Sequence, residues 1–175
     1  MSRRIYILLA MFIVLCGTAL PAHAQQSAQE ILSSLNSTLE TVSYSTQNPR
    51  NNFIEQWNNA YQFAVADNHL IITYRLDNNL FRGEELRDHY TETGTYSAPL
   101  AMLSQAGISS SQMTQIAIAC NGEAECFTRE YSGEYEQNGK ITTSGETKSL
   151  SSVGLLLPDD LIGPTIDLLQ GLLYP

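Results

Sequence analysis

The chain has 175 residues, with 9 basic and 18 acidic side chains and a formal charge of −9. That balance argues against nucleic acid and strongly anionic membrane surfaces as partners, because phosphate binding needs clustered Lys and Arg. A cationic protein or peptide is the electrostatically favoured partner.

The first elements read as an address. Arg3 and Arg4 open the chain, Ile5 to Leu15 is an apolar run, and Ala22-His23-Ala24 offers a small-x-small cleavage site before Gln25. This layout predicts a secretory signal peptide over residues 1–24, cut between Ala24 and Gln25. The expected location is the periplasm of a Gram-negative cell. Ser2-Arg3-Arg4 resembles the start of a twin-arginine signal, but the very apolar core fits general secretion better. The run is short of the roughly 20 residues a spanning helix needs, so no stable membrane insertion is expected after cleavage. Cys16 follows Leu15, not the small residue a lipidation site requires. Cleavage removes Arg3 and Arg4 and no acid, leaving 7 basic against 18 acidic side chains and a charge of −11. Residues 25–175 suit one domain with one core.

Residues 28–42 repeat Ile31, Leu32, Leu35, Leu39 and Val42 at helical steps, with Ser27 and Glu30 as a capping pair. Asn36-Ser37-Thr38 would be a glycosylation sequon only in a eukaryotic host. Residues 43–52 are polar, with a turn at Asn48-Pro49. Ala60 to Leu76 reads as a hairpin turning at Asp67-Asn68, since Asp and Asn accept left-handed backbone angles. Val65 then faces Leu70, Phe63 faces Ile72 and Tyr61 faces Tyr74. Gln62, Thr73 and Arg75 fall on the opposite face.

Asp77-Asn78-Asn79 is expected to turn, and Leu80 to Asp88 to form a polar link. His89 to Ser97 alternates as a strand. Pro99 to Ala106 suits a helical turn or two, ended by Gly107. Thr114 to Cys120 and Cys126 to Tyr135 are expected to pair as a second hairpin. Asn138-Gly139 marks a tight turn, with Lys140 to Ser144 returning and Ser149 to Leu157 as a last strand. Pro164 to Leu173 suits a helix with Pro164 at its first position. The fold class is therefore α+β: an antiparallel sheet or roll of six to seven strands with an N-terminal and a C-terminal helix. The strands, a stapled Cys120–Cys126 pair and a C-terminal helix beginning near Pro158-Asp159-Asp160 resemble pleckstrin-homology-like modules of exported bacterial proteins. The chain departs from that pattern at Gly163-Pro164, which would interrupt the helix. The resemblance covers most of residues 25–175 in element order, implies a roll, and rests on no catalytic or ligand motif.

An even cysteine pair in an exported chain reads as a disulfide. Cys120 and Cys126 would staple the turn of the second hairpin, which the chain-entropy model values at about 2 kcal/mol. Five intervening residues do not give the shared low-pKa geometry of redox pairs. His69 belongs to a hairpin tip, and His89 and Glu92 fall on opposite faces of a strand. Glu84, Glu85 and Asp88 are acidic enough to be weighed as a cation loop, with a solvated face preferred. Glu130, Glu134 and Glu136 share one side of a strand. Their spacing meets the 5–9 Å or so of a glycosidase pair, as any alternate strand residues do. Trp57, Tyr131 and Tyr135, with Tyr44, Tyr61, Tyr74, Tyr90 and Tyr96, make an aromatic set suited either to sheet rims or to an interface. Leu168, Leu169, Leu172 and Leu173 read either as core or as an exposed docking stripe, with core preferred.

No catalytic residue, metal or cofactor is expected. The expectation is a non-catalytic periplasmic protein that acts through contacts with an envelope or secreted protein. Trp57, Tyr131, Tyr135, Glu130, Glu134 and Glu136 are its candidate interface. The alternatives are an immunity or inhibitor protein against a secreted cell-wall hydrolase and, third, a hydrolase.

Overall fold

In a computed structural model, residues 22–48, 52–111, 115–122 and 124–173 are described. The leader through residue 21 and Pro49 lie outside them. Ala24 and Gln25 fall in the first turns of helix α1 (Ala22–Leu39). The strands are β1 (Val42–Asn48), β2 (Phe53–Ala66), β3 (His69–Arg82) and β4 (Glu85–Pro99). A 3₁₀ turn (Leu100–Met102) leads to β5 (Leu103–Ser111) and β6 (Gln115–Cys120). Then come β7 (Phe127–Gln137), β8 (Lys140–Leu150), β9 (Ser152–Leu156) and helix α2 (Asp159–Leu173). One sheet has six strands in the order β1-β2-β3-β4-β7-β8; the other has three, β5-β6-β9. All pairings are antiparallel. No helix among the described residues is long and apolar enough to cross a membrane.

The first hairpin follows the sequence closely. Asp67 and Asn68 both have positive φ, 50° and 60°, as a two-residue turn matched to strand twist requires. Tyr61 faces Tyr74, Phe63 faces Ile72 and Val65 faces Leu70. Asn138 (φ 51°) and Gly139 (φ 77°) close β7 onto β8 in the same way.

The nine strands exceed the six or seven expected, for local reasons. Residues 43–48 read as polar because β1 is an edge strand, and among its described side chains only Val42 is buried. Asp77-Asn78-Asn79 does not turn. These residues continue β3 between β2 and β4, opposite Trp57 and Tyr90. The hairpin turn lies instead at Gly83 (φ 66°), whose N–H bonds the Asn52 carbonyl at 3.3 Å. The polar link at 80–88 is thus mostly strand, with a bulge between Leu80 and Phe81. Pro99 to Ala106 keeps only one 3₁₀ turn before β5 begins, and Ser151 divides the expected last strand into the end of β8 and β9.

The second hairpin is also corrected. β6 does not pair with β7: β6 lies between β5 and β9, and β7 lies between β4 and β8. The described residues between the cysteines form a corner between the sheets. Finally, α2 begins at Asp159 and runs through Pro164. Pro164 supplies no N–H for the Asp160 carbonyl. Both residues are exposed, so solvent can serve that carbonyl and the helix continues.

Pairing defines an inner face of the large sheet: Tyr61, Phe63, Leu70, Ile72, Ala98 and Phe127, all buried. Leu35 and Leu39 of α1, Leu169 and Leu172 of α2, and Ile108, Ile116, Ile118, Val153 and Leu155 of the small sheet join the same core. The C-terminal leucines are therefore core, with Leu168 and Leu173 partly buried against it. Toward the β7–β8 turn the large sheet is more open, and Tyr135 is exposed.

Candidate functional site

Two features sit where the large sheet leaves its core: a buried ionic cluster on the inner face and an open trough on the outer face. Glu92 of β4 is 3% exposed. Its carboxylate accepts from the Tyr74 hydroxyl at 2.7 Å, and from the Tyr90 hydroxyl and the Arg129 guanidinium in closer contacts. Arg129 Nε also donates to the Tyr74 hydroxyl at 2.9 Å. The guanidinium lies 3.9 Å from the Tyr131 ring centroid and about 6 Å from those of Tyr74 and Tyr96, a cation–π cage. Tyr74 and Tyr96 stack at 4.7 Å.

Burial alone would raise the Glu92 carboxyl. Hydrogen bonds from Tyr90, Tyr74 and Arg129 outweigh it and hold the group below its ordinary value. Burial and the Glu92 hydrogen bond push the Tyr74 and Tyr90 hydroxyls up. Burial opposes the charge on Arg129, but Tyr74 and Glu92 raise it overall. An ionised carboxylate with both oxygens engaged is a poor base and a good brace: it ties β3, β4 and β7 together.

Glycine makes room for this cluster. A Cβ on Gly94 would stand 2.5 Å from the Glu130 carbonyl oxygen and 2.6 Å from the Tyr74 hydroxyl. A Cβ on Gly133 would meet the Thr91 carbonyl oxygen at 2.9 Å. Both lie on the inner face of neighbouring strands, where glycines let a sheet bend sharply.

The outer face forms a trough of about 660 Å³ across β2, β3, β4 and β7. Hydroxyl residues Thr73, Thr93, Thr95 and Ser132 line it, with Gln62, Arg75, Glu40 and Glu130. A second hollow of about 320 Å³ shares Thr93 and Ser132 and adds Thr91, Glu134 and Thr143. Alternation explains the lining, since the large apolar residues here mostly face inward, and the outward positions along the trough are Thr, Ser, Gln and Glu with Ala60 and Arg75. Neither Glu130 nor Glu134 makes an ion pair among the described residues. Arg75 lies 3.6 Å from Asp77.

The candidate interface residues fall on two faces. Glu130, Glu134 and Glu136 are exposed on the outer face; Trp57, Tyr131 and Tyr135 belong to the inner one. Trp57 stacks on Tyr44 at 6.2 Å, Tyr131 donates to Glu146 at 2.8 Å, and Tyr135 accepts from Gln137 at 2.9 Å. Cys120 and Cys126 form a disulfide, and it staples β6 of the small sheet to β7 of the large one, not the turn of a hairpin. His69 sits at the β2–β3 tip with Nδ1 2.9 Å from the Asp67 carbonyl. His89 bonds Asp77 at 3.3 Å on the face opposite Glu92. Glu85 pairs with Arg87 at 3.0 Å, and no group of three or more potential metal ligands gathers among the described residues.

Arg129 was not singled out from the sequence, and Glu92 was weighed only against His89. The available signal was parity: Glu92 alternates with Tyr90 and Tyr96, and Arg129 with Phe127 and Tyr131, so each charge occupies an inward position. The chain matches no protein-family model, no curated protein and no solved structure. Its functional reading therefore rests on its own geometry.

Proposed function

We propose that this chain is an exported, non-catalytic binding protein whose outer sheet face receives a cationic segment of an envelope or secreted protein. The observation that carries the reading is the placement of Glu130 and Glu134 along two adjoining hollows that share Thr93 and Ser132. Hydroxyls there offer donors and acceptors without a fixed sequence demand, and the carboxylates favour Lys or Arg. Export rests on the leader pattern, and the disulfide suits an oxidising compartment.

The test is titration of residues 25–175 with a lysine-rich octapeptide at several salt concentrations. Binding should weaken with salt. Glu130→Gln combined with Glu134→Gln should lower affinity about tenfold, since each exposed pair contributes up to about 1 kcal/mol. Glu55→Gln, outside the trough, should change nothing. Equal affinity of the double variant and the native chain would remove this reading.

A further inference from the structure

We propose that the free edge of β8 is a self-association surface. It pairs antiparallel with β8 of a second copy about a two-fold axis at Thr143, so that Lys140 of each chain faces Glu146 of the other. The proposal goes beyond the trough reading and does not depend on it.

β8 is the last strand of the large sheet. Every residue from Lys140 to Ser149 is exposed. A strand carries backbone donors and acceptors along both edges, and β7 satisfies only one of them. Two other edge positions are capped by side chains of the chain itself. The Asn36 amide bonds the Phe63 backbone of β2 in both directions, at 3.0 and 2.6 Å. The Tyr61 hydroxyl accepts from the Leu156 N–H of β9 at 2.9 Å. β8 has no proline, and its register with β7 is unbroken. Its Ile, Thr and Ser residues suit pairing.

Charge selects the occupant. The chain as a whole is −9, yet β8 carries Lys140 and Lys148 against Glu146 alone. An acidic molecule can therefore approach itself here without like charges meeting. An axis perpendicular to the sheet keeps the two inner faces continuous and brings together residues of the same parity. Centred on Ser144, it would oppose Lys140 and Lys148. Centred on Glu146, it would oppose two carboxylates. Centred on Gly145, it makes no ion pair. Centred on Thr147, it opposes Glu146 to Lys148, a lysine that Glu146 already holds within its own chain.

Centred on Thr143, the axis makes two Lys140–Glu146 pairs and sets Thr142 opposite Ser144. It also lays Ile141, 60% exposed, over Gly145 of the second copy. Leu150 of the second copy then lies beyond the β7–β8 turn of the first, so the covered ends of the two sheets point apart.

Sedimentation of residues 25–175 over a concentration series tests this. The native chain should show a reversible dimer. Lys140→Glu and Glu146→Lys should each weaken it at least about tenfold, as like charges directly opposite are destabilising. An equimolar mixture of the two variants should dimerise again, because both cross-pairs then have opposite charges. Thr143→Lys should abolish the dimer while keeping the fold, since its neighbour within the chain is Glu134 of β7. Should Glu146→Lys misfold, Lys140→Glu and Thr143→Lys still decide. A native chain that stays monomeric throughout, or a Lys140→Glu variant that dimerises as the native chain does, overturns the proposal.

Discussion

The side chain of Asn36 on α1 behaves as a short piece of strand for Phe63 on β2. Its Nδ2 donates to the Phe63 carbonyl at 3.0 Å, and its Oδ1 accepts the Phe63 N–H at 2.6 Å. Phe63 lies past the stretch of β2 that β1 covers, so both backbone groups would otherwise lack a partner. Asn36→Ala should destabilise the fold by about 2 kcal/mol, as two partly buried backbone groups lose their bonds. Asn36→Asp keeps the acceptor and removes the donor, and should fall between. Urea unfolding of the three chains measures the order. An unchanged midpoint for Asn36→Ala would show that the pairing carries no stability.

The Glu92–Arg129 pair should act as a unit. Removing one partner leaves a buried charge uncompensated, so Glu92→Gln or Arg129→Met should each destabilise by about 3 kcal/mol. The double variant should lose clearly less than the sum. Simple additivity in a double-mutant cycle would argue against the coupling.

That cluster also sets an acid limit. The folded state holds the Glu92 carboxyl below its ordinary value of 4.5, so folding favours its ionised form. The resulting stability is fully present above the unfolded value and is lost as pH falls through the lower folded value. The stability gap between native chain and Glu92→Gln should therefore be widest near neutral pH and narrow below about pH 4.5. Thermal unfolding of both chains from pH 7 to pH 3 reads it directly. A gap independent of pH would exclude this role for Glu92.

Two glycines should respond in opposite directions. At Gly94 a methyl group would meet the Glu130 carbonyl oxygen at 2.5 Å, a backbone atom that cannot step aside. Gly94→Ala should destabilise by about 2 kcal/mol or more. Gly154 is exposed in β9, and an added Cβ would come no nearer than 3.6 Å to the Gln115 side chain, an ordinary contact. Gly154→Ala should stabilise by about 0.5–1 kcal/mol, because alanine loses less backbone entropy in a strand. Melting temperatures should move down for the first and up for the second.

Reducing the disulfide should weaken the junction between sheets more than either hairpin. The bridge closes a short loop worth about 2 kcal/mol. It links the end of β6 to the start of β7, with the Cys126 N–H bonded to Cys120 Sγ at 3.1 Å. In the Cys120→Ser, Cys126→Ser chain, amide exchange should rise in β6 and β9 before it rises in β2 and β3. Uniform loss of protection would mean that the sheets unfold together regardless of the bridge.

Short-range chemistry was legible in the amino-acid order. Asp67-Asn68 and Asn138-Gly139 announced their turns because few residues tolerate positive φ. The Tyr61–Tyr74 register followed because a slip by one residue would turn every apolar side chain outward. Those arguments compare neighbours in the chain. The destination of β7 was not open to them, since Phe127, Arg129 and Tyr131 alternate equally well against β6 or against β4. Burial of Glu92 beneath Arg129, and the close approach of Gly94 to the Glu130 carbonyl, settle it in favour of β4, and those contacts span 37 and 36 residues. Local sequence thus determined the Asp67-Asn68 and Asn138-Gly139 turns, the faces of the first hairpin and the cysteine pair, but not the turn at Gly83. Only tertiary packing decided which sheets that pair joins, and it left the glutamates and the aromatics on opposite faces, because strand alternation names two sides of a ribbon without saying what will cover either.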